Sequence, residues 1–419
     1  MAGLLEGVRV LDLTTILAGP FAGYQLSLFG ADVIKIELPV TGDLARELSS
    51  ESATHIPMMG ASFVAQNCGK RSITLNLKTE EGAEVFERLI RASDVLLENM
   101  RPGVLARLGF PWERLHELNP ELIYCAVSGF GQTGPFASRP AYDQIIQGLA
   151  GMADVTGSPD GGPLRAGFPI ADTLGGFAAS MAICAALARR TVDRTGCFLD
   201  VSMLETALTA MGWAVSDHLI AGRDVTRNGN SNATSAPSGT FQTGDGLLNI
   251  AANTQTQFET LCRLLDCAEL IEDPRFVTRT DRKLHRAELT VELESRLASR
   301  DAAEWEAMFA AASIPAGRVL TVDQALHQDQ IRFRGLLHEV ELPGVGVRGV
   351  EERRAGQRSG ANSGAHSTAV VLGSGVQVDA RVLEPSSPPP LLGEHTDSIL
   401  DSLGYSADEI AELHTTGAV

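Results

Sequence analysis

The chain's clearest candidate for chemistry is an aspartate followed closely by two glycines. Asp172 lies in the segment Gly167–Gly176, directly before an apolar run, and Gly175 and Gly176 follow it. A carboxylate in apolar company can attack an acyl group, and glycines that expose backbone N–H groups can stabilise the oxyanion that forms. The competing interpretation is an N-cap, in which the carboxylate accepts N–H groups at the start of a helix. The two roles do not exclude each other.

Basic residues are concentrated near the start of an otherwise acidic chain. Thirty-four Lys and Arg stand against 52 Asp and Glu, a net charge of −18 over 419 residues. This charge excludes a general nucleic-acid binder, so an anionic ligand requires a local basic patch. The early basic residues predict such a patch for a polyphosphate, with solvated surface charges as the alternative. They are Lys35, Arg46, Lys70, Arg71, Lys78, Arg101 and Arg107.

Motifs for several other chemistries are absent from the sequence. The turn Thr15–Pro20 lacks the GxGxxG pattern of dinucleotide sites, although Glu37 stands where a ribose-binding acid would. The six cysteines show no CxxC spacing, the nine histidines form no HExxH, and no serine sits in G-x-S-x-G. We therefore expect no metal and no redox cofactor. Scattered cysteines, no secretory signal and no apolar run of ~18 residues predict a cytoplasmic protein outside the membrane.

Strands and helices alternate through the N-terminal third of the chain. Strands are predicted at Val8–Leu13, Asp32–Glu37, Ser72–Leu77, Asp94–Glu98 and Leu122–Val127, and helices at Phe21–Phe29 and Glu80–Ala92. This alternation predicts an α/β fold with a mostly parallel, doubly wound sheet. A further strand is predicted at Phe198–Ser202 in a mainly helical stretch.

The length of the chain predicts more than one hydrophobic core, because single cores stop growing near ~250–300 residues. A polar loop at Arg223–Gly239 predicts a linker, and the following unit carries a strand at Leu247–Ala251. Helices are predicted at Gln255–Leu265, Lys283–Leu297, Ala302–Ala312 and, as one or two helices, Thr396–His414. The Gly-, Ser- and Pro-rich stretch Glu351–Pro390 is predicted to be loop or partly disordered.

Several motifs, in order along nearly the whole chain, resemble the family III CoA-transferases, a group that includes formyl-CoA and carnitine CoA-transferases and the α-methylacyl-CoA racemases. They are Gly7–Leu13, Ala18–Pro20, Leu28–Glu37, Asn67–Ile73, Glu98–Gly103, Gly129–Pro135, Ala141–Asp143, Gly167–Gly176 and Pro390–Asp397. The resemblance implies an interlocked homodimer. It also implies a large Rossmann-like domain built from both chain ends (1–222 and, with a return linker, 331–419), a linker at 223–239 and a smaller α+β domain at 240–330.

The resemblance further implies a function and a set of site residues. Asp172 corresponds to the family's nucleophile, which takes the acyl group and then CoA covalently, so that acyl-CoA and a carboxylic acid are the substrates and no cofactor is needed. Gly175 and Gly176 give backbone room or N–H donors, and Tyr142 and Asp143 line the acyl pocket. The implied CoA contacts are Ile16, Leu17, Ala18, Leu75, Lys78, Asn99, Met100 and Arg107.

Departures from the family pattern bear on the substrate. Formyl-CoA transferases carry a glutamine at the position of Leu17 and a glycine run where this chain has Ser235–Phe241, which disfavours a formyl-CoA and oxalate pair. Racemases carry a histidine at Tyr142, and tyrosine is a poor second base because its pKa is near ~10. Arg46 and Arg165 are candidates to bind a second carboxylate, which favours succinyl-CoA or another dicarboxyl-CoA as donor. An α-methylacyl-CoA epimerase and an inactive CoA-binding protein are the alternatives.

Overall fold

The computed structural model describes residues 3–48, 58–342 and 368–419. By internal contacts the chain divides into two compact units. The first comprises Met1–Met152, Arg165–Ser216 and Gln330–Val419, and the second comprises Ala153–Leu164 and Asp217–Asp329. Segments from both ends of the chain therefore pack in the first unit.

A six-stranded parallel sheet forms the centre of the first unit. Its strands are β1 (Arg9–Asp12), β2 (Asp32–Glu37), β3 (Lys70–Thr74), β4 (Val95–Glu98), β5 (Ile123–Ser128) and β6 (Cys197–Ser202). They are arranged in the order β3-β2-β1-β4-β5-β6, which is the strand order of the Rossmann fold. The direction of winding reverses between β1 and β4, and open α/β sheets bind ligands at that point, beyond the carboxyl ends of the strands.

Helices pack on both faces of this sheet. In chain order they are α1 (Ala18–Leu28), α2 (Ala61–Asn67), α3 (Glu80–Arg91), α4 (Val104–Arg107), α5 (Trp112–Leu118), α6 (Asp143–Leu149), α8 (Ile170–Asp193) and α9 (Met203–Ala210). Two further helices, α7 (Met152–Val155) and α10 (Gly212–Ala221), begin in the first unit and end in the second. Successive residues of β1 serve opposite cores: Leu11 packs with α3 and α5, and Val10 with α1 and α8. The predicted α/β fold with a parallel sheet is confirmed, and burial on both faces explains the continuous apolar runs of its strands.

The second unit has an antiparallel sheet of its own. Its strands β7 (Ser238–Gln242), β8 (Leu247–Ala251) and β9 (Ala316–Arg318) pair in that order. Its helices are α11 (Gln255–Leu264), α12 (Arg279–Leu284), α13 (Arg286–Leu297), α14 (Ala302–Ala311) and α15 (Val322–Leu326). Phe258, Phe276 and Phe309 are fully buried in its core. The helix predicted at Lys283–Leu297 is two helices, which divide at His285.

The C-terminal part of the chain returns to the first unit. It contains α16 (Asp329–Arg334), β10 (Leu337–Glu341), β11 (Thr368–Leu372), β12 (Gln377–Val378), β13 (Arg381–Val382), α17 (Thr396–Ser402) and α18 (Ala407–Thr416). Strand β11 pairs antiparallel with β10, so the loop prediction for Glu351–Pro390 is wrong at Thr368–Leu372. Residues 351–367 of that stretch lie outside the described residues. Ile399 and Leu413 join the core on the α3 face of the sheet.

Helix α8 is the element that carries the predicted nucleophile. It is long and apolar enough, by length and composition alone, to cross a membrane, a test that core helices also pass. It packs against α1, β5 and β6, and it buries Ala171, Ala179 and Ile183. The helix begins at Ile170 after Pro169, so Asp172 is its third residue, and the N-cap interpretation of Asp172 is wrong.

Candidate active site

A cavity of about 290 Å³ opens beyond the carboxyl ends of β1, β4 and β5, at the point where the winding of the sheet reverses. Eight of the residues singled out in the sequence line it: Ile16, Leu17, Ala18, Asn99, Met100, Arg101, Tyr142 and Asp172. The turn after β1, the loop after β4 and the start of α8 therefore meet at one cavity. This is the location that the fold class predicts for a ligand.

The carboxylate of Asp172 is half-buried in this cavity and has no hydrogen-bond or ion-pair partner among the described residues. Burial, and to a smaller extent the nearby carboxylate of Asp143, raise the pKa of Asp172 to about 7. An unpaired carboxylate beside a cavity can attack a bound electrophile, because it has no ion pair to give up first.

Asp143 lies behind the cavity wall and does not line it. Its side chain is buried; Oδ1 accepts the N–H of Ala171 at 2.8 Å and Oδ2 accepts an amide N–H of Gln147 at 2.7 Å. It therefore satisfies a donor in the first turn of α8 and fixes the start of the helix that carries Asp172. Tyr142, the residue before α6, does line the cavity and is 70% exposed.

Gly175 and Gly176 are buried inside α8 and face other elements of the first unit. A Cβ on Gly176 would stand 2.6 Å from the carbonyl oxygen of Ala18 and 2.8 Å from the ring of Phe21, and one on Gly175 would stand 3.1 Å from Met203. Neither glycine lines the cavity, so their implied role at the substrate stays a prediction; the room that Gly176 provides lets α8 approach α1 closely.

The turn between β1 and α1 carries an unusual backbone conformation. Ile16 has φ of +69°, a left-handed conformation that β-branched residues rarely adopt. Two side chains hold the turn: Asp43 accepts the N–H of Ile16 at 3.1 Å, and Asn99 bonds both the N–H and the carbonyl of Thr15, at 2.9 and 2.8 Å. The Asn99 side chain is thus committed to the turn that lines the cavity.

Buried ion pairs lie beneath this turn. Lys35 pairs with Asp43 at 2.9 Å, Lys70 with Asp12 at 2.7 Å and Arg46 with Glu37 at 2.7 Å, and all six side chains are at most 1% exposed. Burial alone would raise the pKa of Asp12, but Lys70 and Lys35 outweigh it, so the net pKa is lowered. These carboxylates are held ionised.

The ion pairs correct the prediction of a single basic patch. Lys35, Arg46 and Lys70 are buried and paired, and Arg71 pairs with Asp32 at 2.6 Å. The bidentate contact of Arg46 with Glu37 also occupies both of these residues, which removes Arg46 as a partner for a substrate carboxylate and Glu37 as a ribose ligand. Of the seven early basic residues, three are exposed and have no ion pair in the described part of the chain: Lys78, Arg101 and Arg107.

A second cavity of about 230 Å³ adjoins the first through Met100, which lines both. Leu75 and Lys78 line it, together with mostly apolar side chains. Arg107 lies on α4 between Val104 and Leu108, two further residues of its wall. An apolar pocket with cations at its rim suits a nucleotide base and its phosphates.

Two residues of the site were missed in the sequence. Glu98, at the end of β4, accepts the N–H of Met100 and, at 3.0 Å, the hydroxyl of Tyr124, and burial raises its pKa to about 7. Arg139 lines the first cavity, and its guanidinium carbon lies 3.7 Å from the ring centre of Phe136. Neither has a local sequence signal beyond the charge itself.

No group of His, Cys, Asp or Glu that could hold a metal occurs among residues 3–48, 58–342 and 368–419.

Comparison with known proteins decides the family. The model of CoA-transferase family III matches residues 5–396. The chain belongs to CoA-transferase family III. The resemblance inferred from the motifs is thereby confirmed, and the protein is an enzyme of the CoA-transferase class.

Relatives of this family III CoA-transferase bear names that include several acids. The succinyl-CoA:glutarate CoA-transferase of Mus musculus is 33% identical over 416 residues, 99% of this chain and 90% of that protein. The acetyl-CoA:oxalate CoA-transferase of Acetobacter aceti is 38% identical over 353 residues, 83% of this chain and 89% of that protein. Among solved structures, a CAIB/BAIF family protein from Brucella suis is similar with a TM-score of 0.81 and 34% identity, covering 96% of this chain and all of that one.

Proposed function

We propose that this enzyme transfers CoA from a dicarboxyl-CoA donor such as succinyl-CoA to a small carboxylic acid, with Asp172 as the nucleophile. The observation that carries the proposal is the unpaired Asp172 carboxylate in the cavity between the β1 turn and the β4 loop. The names of relatives that pair acyl-CoA with glutarate or oxalate support the substrate class.

The first half of the reaction loads the donor acyl group onto the protein. A carboxylate oxygen of Asp172 attacks the thioester carbonyl, the C–S bond breaks and CoA leaves as the thiolate, which gives an acyl-aspartyl anhydride. The thiolate then attacks the aspartyl carbonyl, which releases the donor acid and leaves CoA on Asp172 as a thioester.

The second half returns CoA to a new acid. The acceptor carboxylate attacks the aspartyl thioester and expels the thiolate, and the thiolate attacks the acceptor's carbonyl in the resulting anhydride. This frees the Asp172 carboxylate and the new acyl-CoA. Each step exchanges one acyl bond for another, so the activation of the thioester is kept provided that water is excluded.

Substrate positions follow from the cavities. The acyl group and thioester occupy the cavity of Asp172, and the nucleotide part of CoA occupies the adjoining cavity lined by Leu75 and Lys78. Lys78 and Arg107 supply charge for the phosphates, since both are exposed and unpaired among the described residues. Tyr142 lies at the acyl end of this arrangement.

The homodimer is part of the same proposal. Exposed apolar side chains occur on α6, α8 and α10: Ile145, Leu149, Phe177, Met181, Trp213, Leu219 and Ile220. Helix α10 buries none of its residues, although its sequence is mostly apolar. Exposed apolar surface of this kind marks a protein interface, and we propose a second copy as its occupant. Light scattering tests this directly: a mass of one chain in solution would contradict it.

Trapping the covalent intermediate tests the proposed function. The enzyme is incubated with acetyl-, butyryl-, succinyl- and glutaryl-CoA in the presence of hydroxylamine, and its peptides are mapped by mass spectrometry. We expect a hydroxamate on Asp172 with a dicarboxyl-CoA and none in Asp172→Asn. Exchange of the α-proton in deuterated water, without hydroxamate or an acceptor requirement, would instead establish the racemase alternative. CoA binding without either reaction would indicate an inactive protein.

A further inference from the structure

The cavity of Asp172 contains one arginine whose position neither the ion-pair network nor the nucleotide pocket explains. Arg139 lines this cavity together with apolar residues such as Leu17, Val127 and Met203. Its side chain has no acidic partner among the described residues. An unpaired guanidinium beside an apolar acyl cavity is available to bind an anionic group of the substrate.

The guanidinium of Arg139 is held in place before any ligand binds. It stacks on the ring of Phe136 at 3.7 Å, and the ring of Phe136 meets that of Phe130 edge to face at 5.7 Å. Phe130 packs against the core on the α8 face of the sheet, and the N–H of Arg139 bonds the carbonyl of Phe136 at 2.9 Å. A guanidinium fixed by stacking loses little freedom when it binds a carboxylate with two parallel hydrogen bonds.

Arg101 lines the same cavity but is placed differently. It follows Met100, which together with Thr15 lines both cavities, and so lies on the side of the nucleotide pocket. Arg139 belongs instead to the segment that leads through Ala141 and Tyr142 to α6, whose Asp143 bonds the start of α8. The two arginines thus border the cavity from the CoA side and from the acyl side.

We infer that Arg139 binds the far carboxylate of a dicarboxyl substrate and thereby selects dicarboxyl-CoA over monocarboxyl-CoA. This inference rests on the proposed function, because it assumes that the acyl group lies in the cavity of Asp172. A cavity of about 290 Å³ holds a short acyl chain. The far carboxylate of a four- or five-carbon diacid needs a cation beside it, because an unpaired charge is costly to desolvate, and Arg101 and Arg139 are the cations in the wall of this cavity.

The test compares Arg139→Gln with the matched variant Arg101→Gln, using succinyl-CoA and butyryl-CoA as donors that differ in the far carboxylate. Each variant is first checked for an unchanged thermal unfolding midpoint, and Arg139→Lys serves if Arg139→Gln does not fold. We expect Arg139→Gln to lower kcat/KM for succinyl-CoA by roughly 10- to 100-fold more than for butyryl-CoA, the range for a lost charged hydrogen-bond pair. Arg139→Lys should recover part of the preference, since lysine keeps the charge without the fork.

Arg101→Gln should lower kcat/KM for both donors by the same factor, so that their ratio is unchanged. An equal loss for both donors in Arg139→Gln would show that Arg139 binds CoA and would overturn the inference, as would no loss for either. These results are distinguishable from failure of the proposed function, because that failure appears in the unmodified enzyme as no hydroxamate on Asp172 with any donor.

Discussion

Carboxylates occur in two electrostatic settings around the same cavity. Beneath the turn after β1, Asp12 and Asp43 are fully buried but paired with lysines, and the net pKa of each is below its ordinary value. At the start of α8, Asp172 is only half-buried but has no cation, and its pKa is raised to about 7. Pairing, more than depth, decides whether the pKa of a carboxylate falls or rises.

The difference has a physical reason. A carboxylate that is already bonded to an ammonium group gains little from attacking a carbonyl, because it must give up that interaction. An unpaired carboxylate whose charge is poorly solvated is relieved of that charge when it forms an acyl bond. The paired group therefore fixes the turn that carries Ile16, and the unpaired group faces the cavity that the turn borders.

Replacing Asp172 gives the largest expected effect. We expect Asp172→Asn to lower the rate of CoA transfer by at least about 10³-fold, since the amide cannot form the anhydride. The thermal unfolding midpoint should not fall, because the ionised carboxylate is unfavourable in the folded protein at pH above about 7. Steady-state transfer and thermal unfolding measure the two. A large loss of stability would show that Asp172 is structural, like Asp12.

Replacing one partner of a buried ion pair should instead lower the stability of the folded protein. We expect Lys70→Met to lower the free energy of unfolding by about 3–5 kcal/mol, because Asp12 is left buried and unpaired. Urea unfolding measures it. The matched control is Arg71→Met, on the next residue of β3, whose pair with Asp32 is about one third exposed; its cost should be about 1 kcal/mol or less. Equal costs would contradict the distinction between the two pairs.

The sequence alone singles out Asp172 but does not predict the buried ion pairs. The alternation of apolar strands and helices predicts the sheet, because the pattern of apolar residues such as Val10 and Leu11 can be read from neighbouring positions in the sequence. The motif around Asp172 predicts a nucleophile there through its resemblance to the family, and this role stays a prediction. The burial of Lys70 could not be predicted, because lysines are exposed by default and its partner Asp12 lies 58 positions away. Asp143 was assigned to the acyl pocket, and its bond to Ala171 across 28 positions has no local signal.

Gly176 lies where α8, which carries Asp172, approaches α1, the helix that follows the β1 turn. We expect Gly176→Ala to lower the free energy of unfolding by about 1–3 kcal/mol, because the new Cβ meets the backbone of Ala18 and neither helix can give easily. The control is Gly148→Ala in α6, where nothing lies within 4 Å of the added Cβ, and this should stabilise by about 0.5–1 kcal/mol. Urea unfolding of both decides; a stabilised Gly176→Ala would show that the approach is not tight.

The smallest expected effect concerns the charge of Asp143 beside Asp172. Because the proposed nucleophile must be ionised, hydroxamate formation should rise with pH through a midpoint near 7 and level off above it. Burial is the larger cause of the raised pKa and Asp143 the second, so Asp143→Asn should move the midpoint to lower pH without returning it to the ordinary value of 3.8. Asparagine keeps an oxygen for the N–H of Ala171, so the start of α8 stays capped.

The control for this shift is Glu117→Gln on α5, which removes the same charge on the opposite face of the sheet and should leave the midpoint unchanged. The raised pKa of Asp172 also determines how its contribution to folding stability changes with pH. A carboxyl whose folded pKa is raised binds its proton more tightly in the folded state, so its contribution falls as pH rises from about 3.8 to about 7. The stability of Asp172→Asn relative to the unmodified enzyme should therefore grow across that interval and then stay constant. A difference that grows instead as pH falls would mean that a cation stabilises Asp172, and the contrast between paired and unpaired carboxylates would not hold.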